Sequence, residues 1–114
     1  MRSDRSRDAL RDIRDNIRLA QEFTEGLDAS SFAEDARTRY AVIRCLEIIS
    51  EASRRVGEAV QARHPQLPWS QIASSGNIYR HEYEDVRPEV LWRTVREALR
   101  PLLAAVEAEL GGER

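Results

Sequence analysis

The stretch EDARTRYAVIRCLEIISEASRRVGEAVQA, residues 34–62, decides the fold class of this chain. Its apolar residues recur every three or four positions, and smaller alanines fill the spaces between them. This spacing places them along one face of an α-helix. We therefore predict one long helix over residues 34–62 with a buried stripe made of Tyr40, Ile43, Leu46, Ile49, Val56 and Val60, helped by Ala52 and Ala59.

Helical spacing also appears on both sides of this stretch. A first helix should begin with a cap at Ser3 or Asp4 and stop at Gly26, because hydroxyl and carboxylate residues cap helix starts and glycine favours helix ends. Its apolar face is Ala9, Leu10, Ile13, Ile17, Ala20 and either Phe23 or Thr24. A last helix should start at Pro88 and kink at Pro101, with an apolar face of Val90, Leu91, Val95, Ala98, Leu99, Leu102, Val106 and Leu110.

A shorter helix is predicted between the prolines at 65 and 68 and the loop 82–88. It would cover residues 70–81, with Ser70 as its cap and Gly76 in its interior, where glycine costs about 1 kcal/mol relative to alanine. Such a glycine indicates either close packing or a local break. The segment 27–35 is predicted to be a loop that inserts Phe32 into the core.

The fold class that follows is all-α. We predict a bundle of four helices, or five if the kink divides the last one, with three long helices and one short helix. The 114 residues correspond to one domain, residues 1–114. No segment alternates apolar and polar residues as a strand would.

The composition excludes several classes of function. The net charge of −2 gives no general case for nucleic-acid binding, although all 18 basic residues are arginine, which grips phosphate well. Cys45 is the only cysteine, so neither a disulfide nor a cysteine metal site is expected, and no cofactor is predicted. The charged N-terminus and the lack of a long apolar run predict a cytoplasmic protein.

The stretch GNIYRHEY, residues 76–83, carries the best candidate chemistry. Asn77 and His81 are four residues apart on one helix face, and Arg80 flanks that face. An imidazole moves protons near neutral pH, and a guanidinium neutralises charge on phosphate oxygens, so an RNA phosphodiester would suit this site. In the alternative, His81 only caps the helix and Arg80 pairs with Glu84 or Asp85.

Other polar and aromatic residues have a structural and a functional interpretation. Arg44, Glu47 and Glu51 form either a ladder of intrahelical ion pairs or a support for the His81 site or a subunit interface. His64 is predicted to cap the end of the long helix. Trp69 and Trp92 are predicted to pack in the core, with surface anchoring as the alternative.

Four segments together resemble a known family. They are AVIRCLEIISEA (41–52), RHPQLPW (63–69), GNIYRHEY (76–83) and LWRTVREALRPL (91–102). In this order and at these intervals they resemble the HepT-like proteins of the HEPN superfamily, over about residues 8–110. The ordered set is specific, although no single segment is.

The resemblance implies a fold, an activity and partners. The fold is an all-α HEPN-like bundle that pairs as a homodimer, with the motif helices of both subunits around a shared cleft. The activity is that of a metal-independent endoribonuclease, the toxin of a toxin–antitoxin pair. The antitoxin is a small nucleotidyltransferase of the MntA type, which neutralises the toxin by transferring AMP to the motif tyrosine.

The family motif maps onto this chain with one exchange. Its polar residue, histidine and tyrosine correspond to Asn77, His81 and Tyr83, while its arginine falls on Gly76. Arg80 is the nearest substitute, although adjacent side chains on a helix diverge by about 100°. The resemblance therefore leaves two readings, a nuclease that uses Arg80 and a catalytically degenerate dimer that binds RNA, a nucleotide or the transferase without cleaving. A plain structural bundle is the third alternative.

Overall fold

The computed structural model describes residues 2–111, with side chains from Arg5 onward, and its architecture is all-α. The helices are α1 (Arg2–Phe23), α2 (Ala29–Ala33), α3 (Ala36–Ser53), α4 (Glu58–Arg63), α5 (Trp69–His81), α6 (Pro88–Arg93) and α7 (Leu99–Leu110). A 3₁₀ turn covers Tyr83–Asp85, and a π-helical turn, Thr94–Ala98, joins α6 to α7. The predicted helical bundle is confirmed, because α1, α3 and the continuous α6–α7 rod are long and α5 is the short helix that bears the motif.

One apolar core holds these helices together. Helix α1 packs along α3 and α7, while α5 packs on α3. Burying a large aliphatic side chain stabilises a fold by about 1.5–3 kcal/mol, so the central residues contribute most of the folding free energy. Fully buried large side chains in this core include Ile13, Ile17, Phe32, Val42, Leu91, Val95, Leu102 and Val106.

Several predicted core residues lie at the surface. Phe23 is exposed, and Thr24 is buried in its place because its hydroxyl donates to the Ala20 carbonyl oxygen. Tyr40, Ala59, Val90 and Ala98 are also exposed. Each lies at the edge of the apolar face of its helix, where the helix surface begins to face solvent. The cap predicted at Ser3 or Asp4 falls on side chains outside the described ones.

The single long helix predicted over residues 34–62 is wrong, because the chain breaks between Ser53 and Glu58. Tight hydrogen bonds between residues three apart end α3. Gly57 then takes an extended conformation, and its N–H donates to Ser6 Oγ at 2.8 Å. The apolar spacing continues through the break because Val56 and Val60 are buried against the same core.

A π-helical turn lies just before Pro101, the residue at which the sequence predicts a kink. Proline lacks an N–H and its ring clashes with the carbonyl four residues earlier, here that of Glu97. Widening the helix by one residue over Thr94–Ala98 removes that conflict without ending the rod. The rod therefore runs from Pro88, confirmed at the first turn of α6, to Leu110.

The predicted loop 27–35 contains the short helix α2. Asp28 and Ser31 form a capping box, in which the Asp28 carboxylate accepts from the Ser31 N–H at 2.8 Å. This helix inserts Phe32 into the core, as predicted, with its ring centroid 5.4 Å from that of Trp92. Trp69 and Trp92 both pack against the core.

Across residues 2–111, none of the helices is both long and apolar enough to span a bilayer.

Candidate functional site

The motif residues lie together at the C-terminal end of α5, which ends at His81 as predicted. Asn77, Arg80 and His81 are exposed on its last turns, and Tyr83 begins the 3₁₀ turn that follows. Helix α5 packs on α3, and Arg80 contacts the solvent-facing side of α3 through Glu47. The predicted cap at Ser70 is wrong, because the helix starts one residue earlier, after Pro68.

A hydroxyl on α3 fixes the position of α5. Ser50 is 1% exposed, and its Oγ donates to the Ala73 carbonyl oxygen at 2.8 Å and accepts from the Gly76 N–H at 2.9 Å. Arg54 donates to the same carbonyl from Nε and Nη2, at 3.2 and 2.9 Å. The middle of α5 is thus bonded to α3, one turn before His81.

Gly76 allows this close approach, so the glycine reflects packing and not a local break. A Cβ at position 76 would lie 2.5 Å from Ser50 Oγ and 3.0 Å from Ser50 Cβ. Position 76 therefore faces α3, and the Ser50 side chain occupies the space that an arginine side chain would need there. Any guanidinium at this site has to come from another position.

The Gly76→Ala variant should be destabilised by about 1–2 kcal/mol. Forcing Ser50 aside costs about 2–3 kcal/mol, at the upper end of the range for overpacking because its two hydrogen bonds are also disturbed, while the higher helix propensity of alanine returns about 1 kcal/mol. Urea unfolding of the wild type and the variant measures this difference. Ser74→Ala, at the exposed neighbouring position, is the matched control and should change stability little. A Gly76→Ala protein as stable as the wild type would contradict the close contact.

Glu47 joins Arg80 to α3. Arg80 Nε donates to Glu47 Oε2 at 3.3 Å, and Arg44 Nη1 donates to Glu47 Oε1 at 2.7 Å. The hydrogen bond from Arg44, with that from Arg80 adding to it, lowers the pKa of the Glu47 carboxyl. The alternative that paired Arg80 with Glu84 or Asp85 is wrong. Glu47 therefore forms the predicted intrahelical pair and also contacts Arg80, while its support of the His81 site stays a prediction.

Glu51 contacts a different partner. Its carboxylate lies 3.8 Å from Arg55 Nη2, and Arg55 also binds Asp12 on α1 at 3.0 Å. The ladder of ion pairs predicted along α3 therefore divides, with Arg44 and Glu47 beside α5 and Glu51 linked toward α1. No contact between Glu51 and Arg80 or His81 is present among the described side chains.

Tyr40 belongs to the surface around the motif, which the sequence interpretation missed. It is 56% exposed, and its ring centroid lies 5.9 Å from that of Tyr83 in an edge-on contact. The signal was available, because Tyr40, Arg44 and Glu47 are spaced by four and three residues and so share a helix face. With the exposed Ile78, these two tyrosines give the site an apolar border.

His64 lies in a separate cluster that connects α4 to α7. Its Nε2 is 2.7 Å from Glu109 Oε2, and Arg63 binds the same carboxylate from Nε and Nη2, at 3.0 and 2.7 Å. The hydrogen bond from Arg63 is the largest cause of the lowered pKa of Glu109, which falls to about 2. His64 is the C-cap residue of α4, but its imidazole binds Glu109 instead of the free carbonyls of that helix.

The arrangement at the end of α5 can bind a phosphate and move a proton. Arg80 contacts Glu47 through Nε, which leaves its two Nη groups for an anion. His81 and Asn77 are open to solvent and so to a polymer substrate. Within the described part of the chain, His81 makes no hydrogen bond that a ligand would have to replace.

Comparison with known proteins gives consistent matches. The family model described as ribonuclease HepT-like matches residues 13–109. A Thermococcus cleftensis protein named "Probable ribonuclease HepT" is 39% identical over 101 residues, 89% of this chain and 92% of that protein. A Methanocaldococcus jannaschii protein named "Putative RNase" is 36% identical over 98 residues, 86% of this chain and 90% of that protein. No solved structure matches the chain.

Proposed function

We propose that this chain, which belongs to the ribonuclease HepT-like family, cleaves RNA at the surface formed by the end of α5 and the adjoining face of α3. One observation carries the proposal. Arg80 and His81 stand side by side at an exposed helix end, and Glu47 on α3 contacts that arginine. A guanidinium and an imidazole at one open site can supply the charge stabilisation and the proton transfer that phosphodiester cleavage uses.

The reaction would use the RNA's own nucleophile. His81 would take the proton from the ribose 2′-hydroxyl while water protonates the leaving 5′-oxygen, or it would protonate the 5′-oxygen while water takes the 2′-hydroxyl proton. The 2′-oxygen attacks the phosphorus and the bond to the 5′-oxygen breaks, which leaves a 2′,3′-cyclic phosphate and a 5′-hydroxyl. Arg80 would stabilise the negative charge that collects on the phosphorane oxygens, and Asn77 would orient the phosphate or the imidazole.

Cleavage of RNA in the presence of a chelator tests this proposal directly. The internal 2′-hydroxyl makes a metal-activated water unnecessary, so the purified protein should cut cellular RNA in EDTA. An oligonucleotide with 2′-deoxyribose throughout should remain intact. A folded, unmodified wild type that cuts no RNA would overturn the nuclease proposal.

The finer role we propose is that of a toxin controlled at Tyr83. A nucleotidyltransferase antitoxin of the MntA type would transfer AMP from ATP to the Tyr83 hydroxyl oxygen, with release of pyrophosphate. The added nucleotide would place a bulky anion beside Arg80 and His81 and exclude RNA. The exposure of Tyr83 supports this proposal, because the enzyme would have to reach its hydroxyl.

Tyr83→Phe should keep RNA cleavage within about threefold of the wild type and escape neutralisation, since a phenyl ring keeps the contact with Tyr40 but accepts no AMP. The measurement is intact mass and RNA cleavage after incubation with the transferase and ATP. Tyr40→Phe is the matched control, because its ring is also exposed and lies beside Tyr83. AMP on Tyr40, or on no tyrosine, would contradict the assignment.

The protein would act as a homodimer in the cytoplasm. The exposed Tyr40, Ile78 and Tyr83 form an apolar border around the motif, which supports pairing of two motif helices across a shared cleft. The second candidate function is a dimer that binds RNA, a nucleotide or the transferase without cutting. Gly76 favours that candidate, because the motif arginine of the family has no equivalent at this position.

A further inference from the structure

A cavity of about 210 Å³ lies on the other side of α5 from the motif side chains. Its floor is α3, and its sides are α5, the segment 66–68 and the rod formed by the π-helical turn and α7. The residues around it include Leu46, Ile49, Leu67, Ile72, Leu99 and Leu102. Apolar side chains thus form most of its wall, while its rim includes the exposed Ala98 and Pro101.

The polar groups around this cavity are nearly all bonded to the protein. Ser50 Oγ is held by Ala73 and Gly76, Ser75 Oγ donates to the Ile72 carbonyl oxygen at 2.8 Å, and Thr94 Oγ1 donates to the Val90 carbonyl oxygen at 2.8 Å. None of the lining residues carries a charge. A charged ligand would therefore lose its hydration without gaining a partner.

Tyr79 is the one exception away from the surface, because Gln66, whose amide also makes no hydrogen bond to a described residue, is exposed. Tyr79 packs against the core, and its hydroxyl makes no hydrogen bond to another described residue. Burial raises the pKa of this phenol, so the hydroxyl stays neutral and can both donate and accept a hydrogen bond. The cavity therefore combines apolar walls with the unbonded Tyr79 hydroxyl and, at its exposed edge, the Gln66 amide.

We propose that this cavity binds a small uncharged aromatic molecule of one or two fused rings, with its single polar group hydrogen-bonded to the Tyr79 hydroxyl. The volume sets the size, because an apolar cavity of about 150 Å³ already holds benzene. The uncharged lining indicates that the ligand is uncharged as well. The π-helical turn shapes the site, since its Thr94 and Ala98 form part of the wall, and such turns occur frequently at functional sites.

This inference is independent of the proposed nuclease activity. The cavity and the motif occupy different faces of α5, and residues 72, 75 and 79 face the cavity while 77, 80 and 81 are exposed. Binding can therefore be measured without RNA.

Indole is the probe for the test, because it has two fused rings, no charge and one N–H group. Titration of the ¹⁵N-labelled protein with indole should give saturable shifts at residues of α5 and the π-helical turn. Ala98→Leu extends a side chain over the rim and should weaken binding at least tenfold. Ala104→Leu, an exposed alanine on the same rod outside the cavity, is the matched control and should bind within twofold of the wild type.

A second variant tests the hydrogen bond and does not depend on filling the cavity. Tyr79→Phe should weaken indole binding about three- to tenfold, as expected for loss of one hydrogen bond, and leave the binding of toluene unchanged. Equal indole affinity in Tyr79→Phe would overturn the role of Tyr79. No saturable binding by the wild type, or equal binding in Ala98→Leu, would overturn the site. The wild type could instead fail to bind indole and self-associate, with self-association lost only in Ala98→Leu. That result would overturn the small-molecule proposal and identify a second copy of the chain as the occupant.

Discussion

RNA cleavage should fall by about 10²–10⁴-fold when His81 is replaced by alanine, which is the range that general acid–base catalysis supplies. Imidazole is the side-chain type best suited to proton transfer in this reaction, and His81 carries the imidazole at the end of α5. Asn77 and Arg80 cannot replace it, because an amide does not titrate and a guanidinium stays charged. The loss should therefore appear in kcat more than in KM.

The other histidine of the chain provides the control for this experiment. His64 binds Glu109 between α4 and α7, so His64→Ala should lower the unfolding midpoint and keep cleavage close to that of the wild type. His81 is exposed, and its replacement should leave the unfolding midpoint unchanged. Rates are measured in EDTA on a single RNA with one cleavage site. Full activity in His81→Ala would contradict its role, whereas an inactive wild type would favour the non-cleaving dimer.

Sequence periodicity predicted most of the fold because the core is aliphatic and the helices are amphipathic. It failed at Gly57, where Val56 and Val60 keep helical spacing on both sides of the break. The cause is a contact with Ser6, 51 residues away in sequence, which no local pattern contains. The π-helical turn was foreseen only as a kink, since Pro101 signals a conflict with the helix but not how it is relieved.

In the candidate site too, local features could be predicted from the sequence, while contacts between distant residues could not. Asn77, Arg80 and His81 were found from their spacing on one helix, which the structure retains. The contact between Arg80 and Glu47 spans 33 residues, and the sequence indicated only that Glu47 either pairs along its own helix or supports the His81 site or a subunit interface. The reason for a glycine at position 76 is its contact with Ser50, 26 residues earlier. The sequence therefore indicated either close packing or a local break, but it could not distinguish between them.

Arg80→Ala should reduce RNA cleavage by about 10²–10³-fold, the usual loss when one group that stabilises transition-state charge is removed. Position 76 has no space for a guanidinium, so Arg80 is the arginine that this helix offers to the phosphate. Arg80→Lys should recover only part of the activity, because an ammonium keeps the charge but lacks the planar fork. Arg18→Ala is the matched control, since Arg18 is another exposed arginine paired with a glutamate, Glu107 at 2.6 Å, between α1 and α7.

The Glu47→Gln variant tests whether the position of the Arg80 guanidinium matters for cleavage in addition to its charge. The amide keeps the size of the side chain but loses the ionic contact with Arg80 Nε, so the guanidinium becomes less ordered while its charge remains. Cleavage should therefore fall by less than in Arg80→Ala, by about tenfold, with the loss in kcat because the misplacement matters most when charge develops on the phosphorane. In the Arg80→Ala background, Glu47→Gln should add little, because its effect passes through that arginine. Full additivity of the two losses would mean that Glu47 acts on the reaction by another route.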